Sequence, residues 1–181
     1  MKVDILSSEK DILFKILLSR EKRAEKQKYL INKYKCSLIS FTLNIPGATK
    51  DSELYRKIHK EGIKEILRVL NNEHLPILYK EEIYEITGAE CYICINVDVL
   101  KLKELMVTIE ENHELGRIFD IDVFDSNFKI IKRKKIYLKE RKCFICNDDA
   151  IVCRRNNKHT TEELLKKINV MASDFFMEQS K

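Results

Sequence analysis

Two stretches carry residues whose types and spacing could do chemistry. In Gly116-Arg117-Ile118-Phe119-Asp120-Ile121-Asp122-Val123, two carboxylates alternate with apolar side chains. If this run is a strand that buries Phe119, Ile121 and Val123, both carboxylates leave the opposite face, about 7 Å apart at their bases. Such a pair suits Mg2+, which is usually held by one or two carboxylates plus phosphate oxygens of a substrate. A solvated acidic face of an edge strand has the same pattern. Further on, Cys143-x2-Cys146-x6-Cys153-x5-His159 offers three thiols and an imidazole. That is the donor set of a tetrahedral, structural Zn2+ site, and a close first pair is the usual chelating knuckle. The later spacings are not those of a common finger, and reduced cysteines used for packing are the alternative. Cys91 and Cys94 stand in a strand-like run at a spacing that points them to opposite sides, so they read as core.

Weaker signals lie nearer the N-terminus. At about 100° per residue, Arg20 and Gln27 fall near the centre of the helical face set by Leu13, Leu17 and Ile31. A charge inside an apolar face is costly unless paired. Either Arg20 snorkels or the helix frays there, or this part of the helix lines a site where Arg20 and Arg23 meet an anion. Asn44-Ile45-Pro46-Gly47 sits between a strand and a helix, where free backbone N–H groups can receive phosphate. An ordinary turn is the simpler description.

The elements that must position these groups follow from periodicity. Ser8-Glu9-Lys10-Asp11 reads as a capping box opening a long helix with Leu13, Ile16, Leu17, Arg20, Ala24, Gln27, Ile31 and Tyr34 on one face. Residues 37–44 alternate as a strand, a helix is expected from about Ser52 to Leu70, and strands near 77–86 and 91–97. A third helix around residues 102–113 leads to a strand over 117–124. Asp125-Ser126-Asn127 then turns into a further strand over 128–136. Thr160-Thr161-Glu162-Glu163 is a second capping box, opening the last helix. From residue 37 to 124 the order is strand, helix, strand, strand, helix, strand. This predicts an α+β fold, an antiparallel sheet backed by helices in the ferredoxin-like βαββαβ order. The N-terminal helix, the hairpin after Phe124 and the Cys/His segment with its helix are additions. A single domain over 1–181 is expected, with 1–136 as the α+β core and 137–181 as the tail.

Composition narrows the class. At 181 residues, 44% hydrophobic and 35% charged, the chain can fill one core. Its longest apolar runs fall far short of the ~18 residues of a membrane span, so no membrane partner is expected. The N-terminus carries no apolar export segment, which points to the cytoplasm and to reduced cysteines. A net charge of +5 permits an anionic ligand but does not argue for nucleic acid, whose partners concentrate their basic residues.

These residues together resemble a known family. The central stretch Gly116–Val123 is similar to its signature, as are Leu18-Ser19-Arg20-Glu21-Lys22-Arg23-Ala24-Glu25-Lys26-Gln27 and Asn44-Ile45-Pro46-Gly47-Ala48-Thr49-Lys50. The tail adds Arg141-Lys142-Cys143-Phe144-Ile145-Cys146, then Ala150, Cys153, Arg154 and His159. The family is the apo-citrate lyase phosphoribosyl-dephospho-CoA transferases, or holo-citrate lyase synthases. Departures are small: Ala48 stands where proline is expected, and Lys22 and Lys26 are more basic than expected. The resemblance implies a nucleotidyltransferase-type reaction. The donor is 2'-(5''-triphosphoribosyl)-3'-dephospho-CoA and the acceptor a serine of the apo acyl carrier protein, the γ subunit of citrate lyase; pyrophosphate leaves. Within that reaction Asp120 and Asp122 would hold Mg2+, with Arg117 beside them as a catalytic candidate. Arg20, Arg23, Lys50 and Arg154 would meet phosphate oxygens, and Gln27, Asn44, Gly47 and Arg141 complete the candidate substrate-binding set. The rival readings are the equivalent transferase for the malonate decarboxylase carrier and a non-catalytic, zinc-stabilised binding module.

Overall fold

The computed structural model describes residues 2–146 and 148–179, with side chains from residue 11 onward. In chain order the elements are α1 (Lys2–Tyr34), β1 (Ser37–Leu43), α2 (Glu53–Asn72), β2 (Ile77–Glu85), β3 (Gly88–Ile95), α3 (Val99–Asn112) and β4 (Phe119–Phe124). A 3-10 turn (Arg133–Ile136), α4 (Ala150–Arg155) and α5 (Thr161–Glu178) follow. The strands form one antiparallel sheet in the order β2-β3-β1-β4, so the fold is α+β, as expected.

Alternation along each strand divides the side chains between two faces. Ile39 and Phe41 of β1, Cys91, Ile93 and Ile95 of β3, and Phe119, Ile121 and Val123 of β4 join the larger core with Ile58 and Ile66 of α2, Leu102 and Met106 of α3, and Ile168, Ala172 and Phe175 of α5. Gly62 lets α2 lie close on this face: an added Cβ would sit 2.4 Å from the Phe41 ring. The other face is smaller. Leu30 and Ile31 of α1 cover Leu38, Tyr92, Cys94 and Phe124 there. Cys91 and Cys94 thus lie in different cores, both fully buried.

Capping explains most helix starts. Ser52 accepts from Tyr55 N–H at 3.1 Å, Asp98 caps α3, and Thr160 with Glu163 forms the complete capping box of α5. The start expected at Ser8 is different. The helix runs through it from Lys2, because nothing in the sequence breaks the helix there; the side chains of Ser8, Glu9 and Lys10 lie outside the described residues.

Two further expectations change. Leu13 and Leu17 are 55% and 57% exposed: their face of α1 extends beyond the sheet, and only the C-terminal half of the helix packs down. The strand expected over 128–136 does not form. Asp125 accepts the N–H groups of Asn127 and Lys129, Phe128 takes a left-handed φ of 61°, and a lone bridge joins Phe124 to Ile130. The chain then coils into the 3-10 turn because Arg133 is drawn inward to Glu110 and Glu111 of α3, at 2.6 and 2.5 Å.

Candidate active site

β4 is an edge strand, and its backbone is closed by side chains rather than by another strand. Lys103 Nζ donates to the Ile121 carbonyl and the Ile121 N–H donates to Glu110 Oε1, each at 3.1 Å. Both side chains are buried, at 5% and 3% exposure. Glu110 also receives Arg133 and Arg141, so one buried carboxylate orients two guanidinium groups.

On the face of β4 away from the larger core, Asp120 lies opposite Thr42 and Asp122 opposite Ser40. Arg141 Nη1 stands 3.6 Å from Asp120. Burial, then the charge of Asp120, push the Asp122 carboxyl up to about 6, while Lys103 pulls it the other way. Two carboxylates crowded in this way favour a cation between them.

Two cavities meet at this strand. The larger, about 650 Å³, is bounded on one side by Asp120, Asp122, Lys103 and Arg133, and on the other by the segment carrying Phe144, Ile151 and Arg154. The smaller, about 250 Å³, has four cations, Arg20, Arg23, Lys50 and Arg154, against a single acid, Asp120, among the described residues. Asn44, Asp120 and Arg154 line both. Arg20 is therefore at a cavity rather than in a core. Arg23 is shared with Glu90, at 2.8 Å. Lys50 donates to the Ile45 carbonyl, and burial and the charge of Arg20 lower its pKa.

Other candidates fall elsewhere. Gln27 is buried and donates to Ser40 Oγ at 2.9 Å, which accounts for a polar residue in that stripe; it lines neither cavity. Gly47 forms a turn with φ 78°, while its neighbour Pro46 lines the larger cavity. Arg117 precedes β4, lies over the Phe144 ring at 6.0 Å and also lines neither cavity.

The Cys/His set comes together. The ligand atoms of Cys143, Cys146, Cys153 and His159 lie within 4.8 Å of one another, with Cys143 and Cys153 sulfurs 3.4 Å apart and His159 Nε2 3.3 Å from Cys146 Sγ. Burial opposes a thiolate at Cys143, but N–H groups of Ile145 and Cys146 and the neighbouring thiols outweigh it, and its pKa falls below the ordinary thiol value. This cluster can hold a metal ion, and its donors are those zinc takes in structural sites.

Lys103, Glu110 and Arg133 do not stand out in the sequence pattern. The first two do carry a signal: Lys103 and Glu110 fall at i and i+7 on the helical stripe of Met106 and Val107, so both charges share a face with buried apolar residues. Arg133 stands in the basic run Lys132-Arg133-Lys134-Lys135, where nothing local marks it.

Known proteins supply the context for this geometry. A family model described as apo-citrate lyase phosphoribosyl-dephospho-CoA transferase matches residues 12–175. A Vibrio cholerae relative, named a probable apo-citrate lyase phosphoribosyl-dephospho-CoA transferase, is 33% identical over 164 residues, covering 90% of this chain and 92% of its own. Relatives from Citrobacter koseri and Escherichia coli, named apo-citrate lyase phosphoribosyl-dephospho-CoA transferases, are each 30% identical over 159 residues, 88% of this chain and 87% of theirs. The match spans the acidic strand, both cavities and the Cys/His cluster, and the chain belongs to the apo-citrate lyase phosphoribosyl-dephospho-CoA transferase family.

Proposed function

We propose that this protein transfers the prosthetic group of 2'-(5''-triphosphoribosyl)-3'-dephospho-CoA to a serine of the apo acyl carrier protein, the γ subunit of citrate lyase. The serine oxygen bonds to the α-phosphorus, the bond from that phosphorus to the β-phosphate bridge oxygen breaks, the serine proton is lost, and pyrophosphate leaves. Positioning and charge neutralisation are most of what such a reaction needs from protein. The observation that carries this reading is the junction: Asp120, Asn44 and Arg154 line both a small cationic cleft and a larger, partly apolar cavity. The triphosphate fits the cleft, where Arg20, Arg23, Lys50 and Arg154 would meet its oxygens. The dephospho-CoA part fits the larger cavity, where Glu110 holds Arg141 and Arg133 in place.

Asp120 and Asp122 suit Mg2+ by donor type and by their mutual crowding. Asp120 and Asp122 would hold it, and it would supply positive charge where the reaction builds up negative charge on phosphate. We read Arg117 as support for Phe144 more than as a group that meets substrate, since its guanidinium lies on that ring. The Cys/His cluster is read as a structural Zn2+ site, closed by four protein ligands.

The frame itself is read as ferredoxin-like, supported by the βαββαβ succession and the β2-β3-β1-β4 order. A single domain is supported by α5, which belongs to the tail yet packs into the larger core through Ile168, Ala172 and Phe175. A cytoplasmic setting agrees with the finding that, among the described residues, no helix is long and apolar enough to cross a membrane.

The test is mass spectrometry of the apo carrier incubated with donor, Mg2+ and this protein. The citrate lyase carrier should gain the prosthetic group with release of an equal amount of pyrophosphate, and the malonate decarboxylase carrier should stay unlabelled. An unchanged citrate lyase carrier would remove the reading.

A further inference from the structure

The segment between the 3-10 turn and α5 has almost no core of its own. From residue 137 to 167, Cys153 is the single buried hydrophobic residue among the described ones. Leu138, Ile145, Ile151 and Val152 are 38–45% exposed, and α4 is only six residues long. Burial on this scale stabilises little against the entropy of ordering about thirty residues. Yet this segment supplies one wall of the larger cavity, including Phe144, Ile151 and Arg154. At one end it is tied by Arg141 to Glu110, in its middle Phe144 packs against the larger core, and at the other end α5 enters that core. Between those ties stands the sulfur cluster. Its first turn is shaped as a knuckle: Cys143 N–H donates to the Asp148 carbonyl at 2.9 Å, and the Ile145 N–H points to Cys143 Sγ at 3.5 Å.

We infer that one Zn2+ on Cys143, Cys146, Cys153 and His159 is the cross-link that holds this wall, so that metal loading sets the affinity of the cavity for its ligand. The inference rests on the reading of the cavity as the dephospho-CoA site. Three thiolate sulfurs and one imidazole nitrogen make a shell that zinc completes without an open position, so the ion acts on binding through the wall and not on the reacting atoms. Cys143, Cys153 and His159 themselves line the cavity, whereas Cys146 lines neither cavity. Cys146 is therefore a positioning residue, and any effect of its loss on ligand binding must pass through the metal.

The experiment uses the full chain in three states: as purified, stripped by a chelator, and reloaded with Zn2+. Metal is measured by elemental analysis, dephospho-CoA binding by titration calorimetry, and the order of the wall by limited trypsin digestion at the basic residues between 139 and 158. Zinc near one per chain is expected. Stripping should weaken dephospho-CoA by at least about tenfold, the scale on which supporting groups act at metal sites, and should open trypsin sites in the wall. Zn2+ should reverse both. Cys146→Ser should behave as the stripped protein and not recover, while its sheet still melts cooperatively. A protein that takes up no zinc, or one whose trypsin pattern ignores the metal, would overturn the cross-link. Metal-dependent digestion with unchanged dephospho-CoA affinity would overturn the coupling to the cavity. If neither form binds dephospho-CoA while zinc still governs digestion, the cross-link stands and the assignment of the cavity falls.

Discussion

The larger core and the 137–160 wall face one another across the same cavity and are held by opposite means. In the core, Phe41 is fully buried, stacked on His59 at 4.6 Å and edge-on to Phe119 at 5.5 Å, inside a cluster drawn from three strands and three helices. In the wall, Phe144 alone among the described residues of 137–160 packs against that core, and the rest is held by a few polar ties and a sulfur cluster. Burial in many directions is redundant, so the core tolerates perturbation locally and loses stability in proportion to what is removed. The proposed zinc cross-link is not redundant, so loss of the metal should release the wall as a unit. The proposed chemistry sits at the seam, on β4, where the rigid side supplies the carboxylates and the tied side supplies Arg141 and Arg154.

The contrast is broken most directly by removing Phe41. Phe41→Ala should cost about 3–5 kcal/mol in denaturant unfolding, with metal content unaltered. A loss below about 0.5 kcal/mol, the scale of an ordinary surface change, would show that the core is not what holds the sheet.

His59 tests the same core by pH. Its ring is fully buried and neither nitrogen meets a partner in hydrogen-bonding geometry, although the Phe41 backbone lies close. Burial lowers its pKa from 6.5 to about 4. Because the folded value lies below the unfolded one, its neutral form is accommodated above about pH 6.5, and stability is lost as pH falls towards and through about 4. The shift corresponds to about 3 kcal/mol. His59→Leu, of similar volume, should reduce the drop in unfolding free energy between pH 7 and pH 4, read from urea denaturation, by that amount. An unchanged drop would assign the acid sensitivity to other groups.

At the seam the expected effect is on rate. Asp120→Asn and Asp122→Asn should fold normally, since burial and Asp120 already disfavour the charge on Asp122. Each should lower transfer by about two orders of magnitude, the ~3 kcal/mol scale of one preorganised electrostatic contact, and the double variant should be little worse if, as proposed, both serve one ion. Pyrophosphate release near the normal rate in both single variants, or full activity in excess EDTA, would take them out of the site.

The smallest effect is expected at Arg20, on the exposed part of α1. Arg20→Lys should weaken donor binding by roughly tenfold, about 1.4 kcal/mol, with an unchanged melting temperature, because lysine lacks the bidentate fork. A lower melting temperature with unaltered donor affinity would make Arg20 structural.

Much of the frame could be read locally. The alternation around Asp120 and Asp122 places both on one face of β4, and Thr160 with Glu163 announces α5. The misses share a cause. A stripe through Leu13 and Leu17 says that a helix has an apolar face, not that anything covers it. The run after Asp125 alternates weakly, and a distant carboxylate pair on α3 decides its shape.

The sequence by itself determined the period of each element, the caps that begin α2, α3 and α5, the common face of the two aspartates and the donor types of the Cys/His set, because each depends on neighbours within a few residues. The tertiary structure alone decided that Gln27 answers Ser40, that Glu110 gathers Arg133 and Arg141, and that Arg20 and Arg154 face one Asp120 from opposite ends of the chain. Those pairings follow from sheet order and from which helix covers which face, and a buried charge takes whichever partner that order brings within reach.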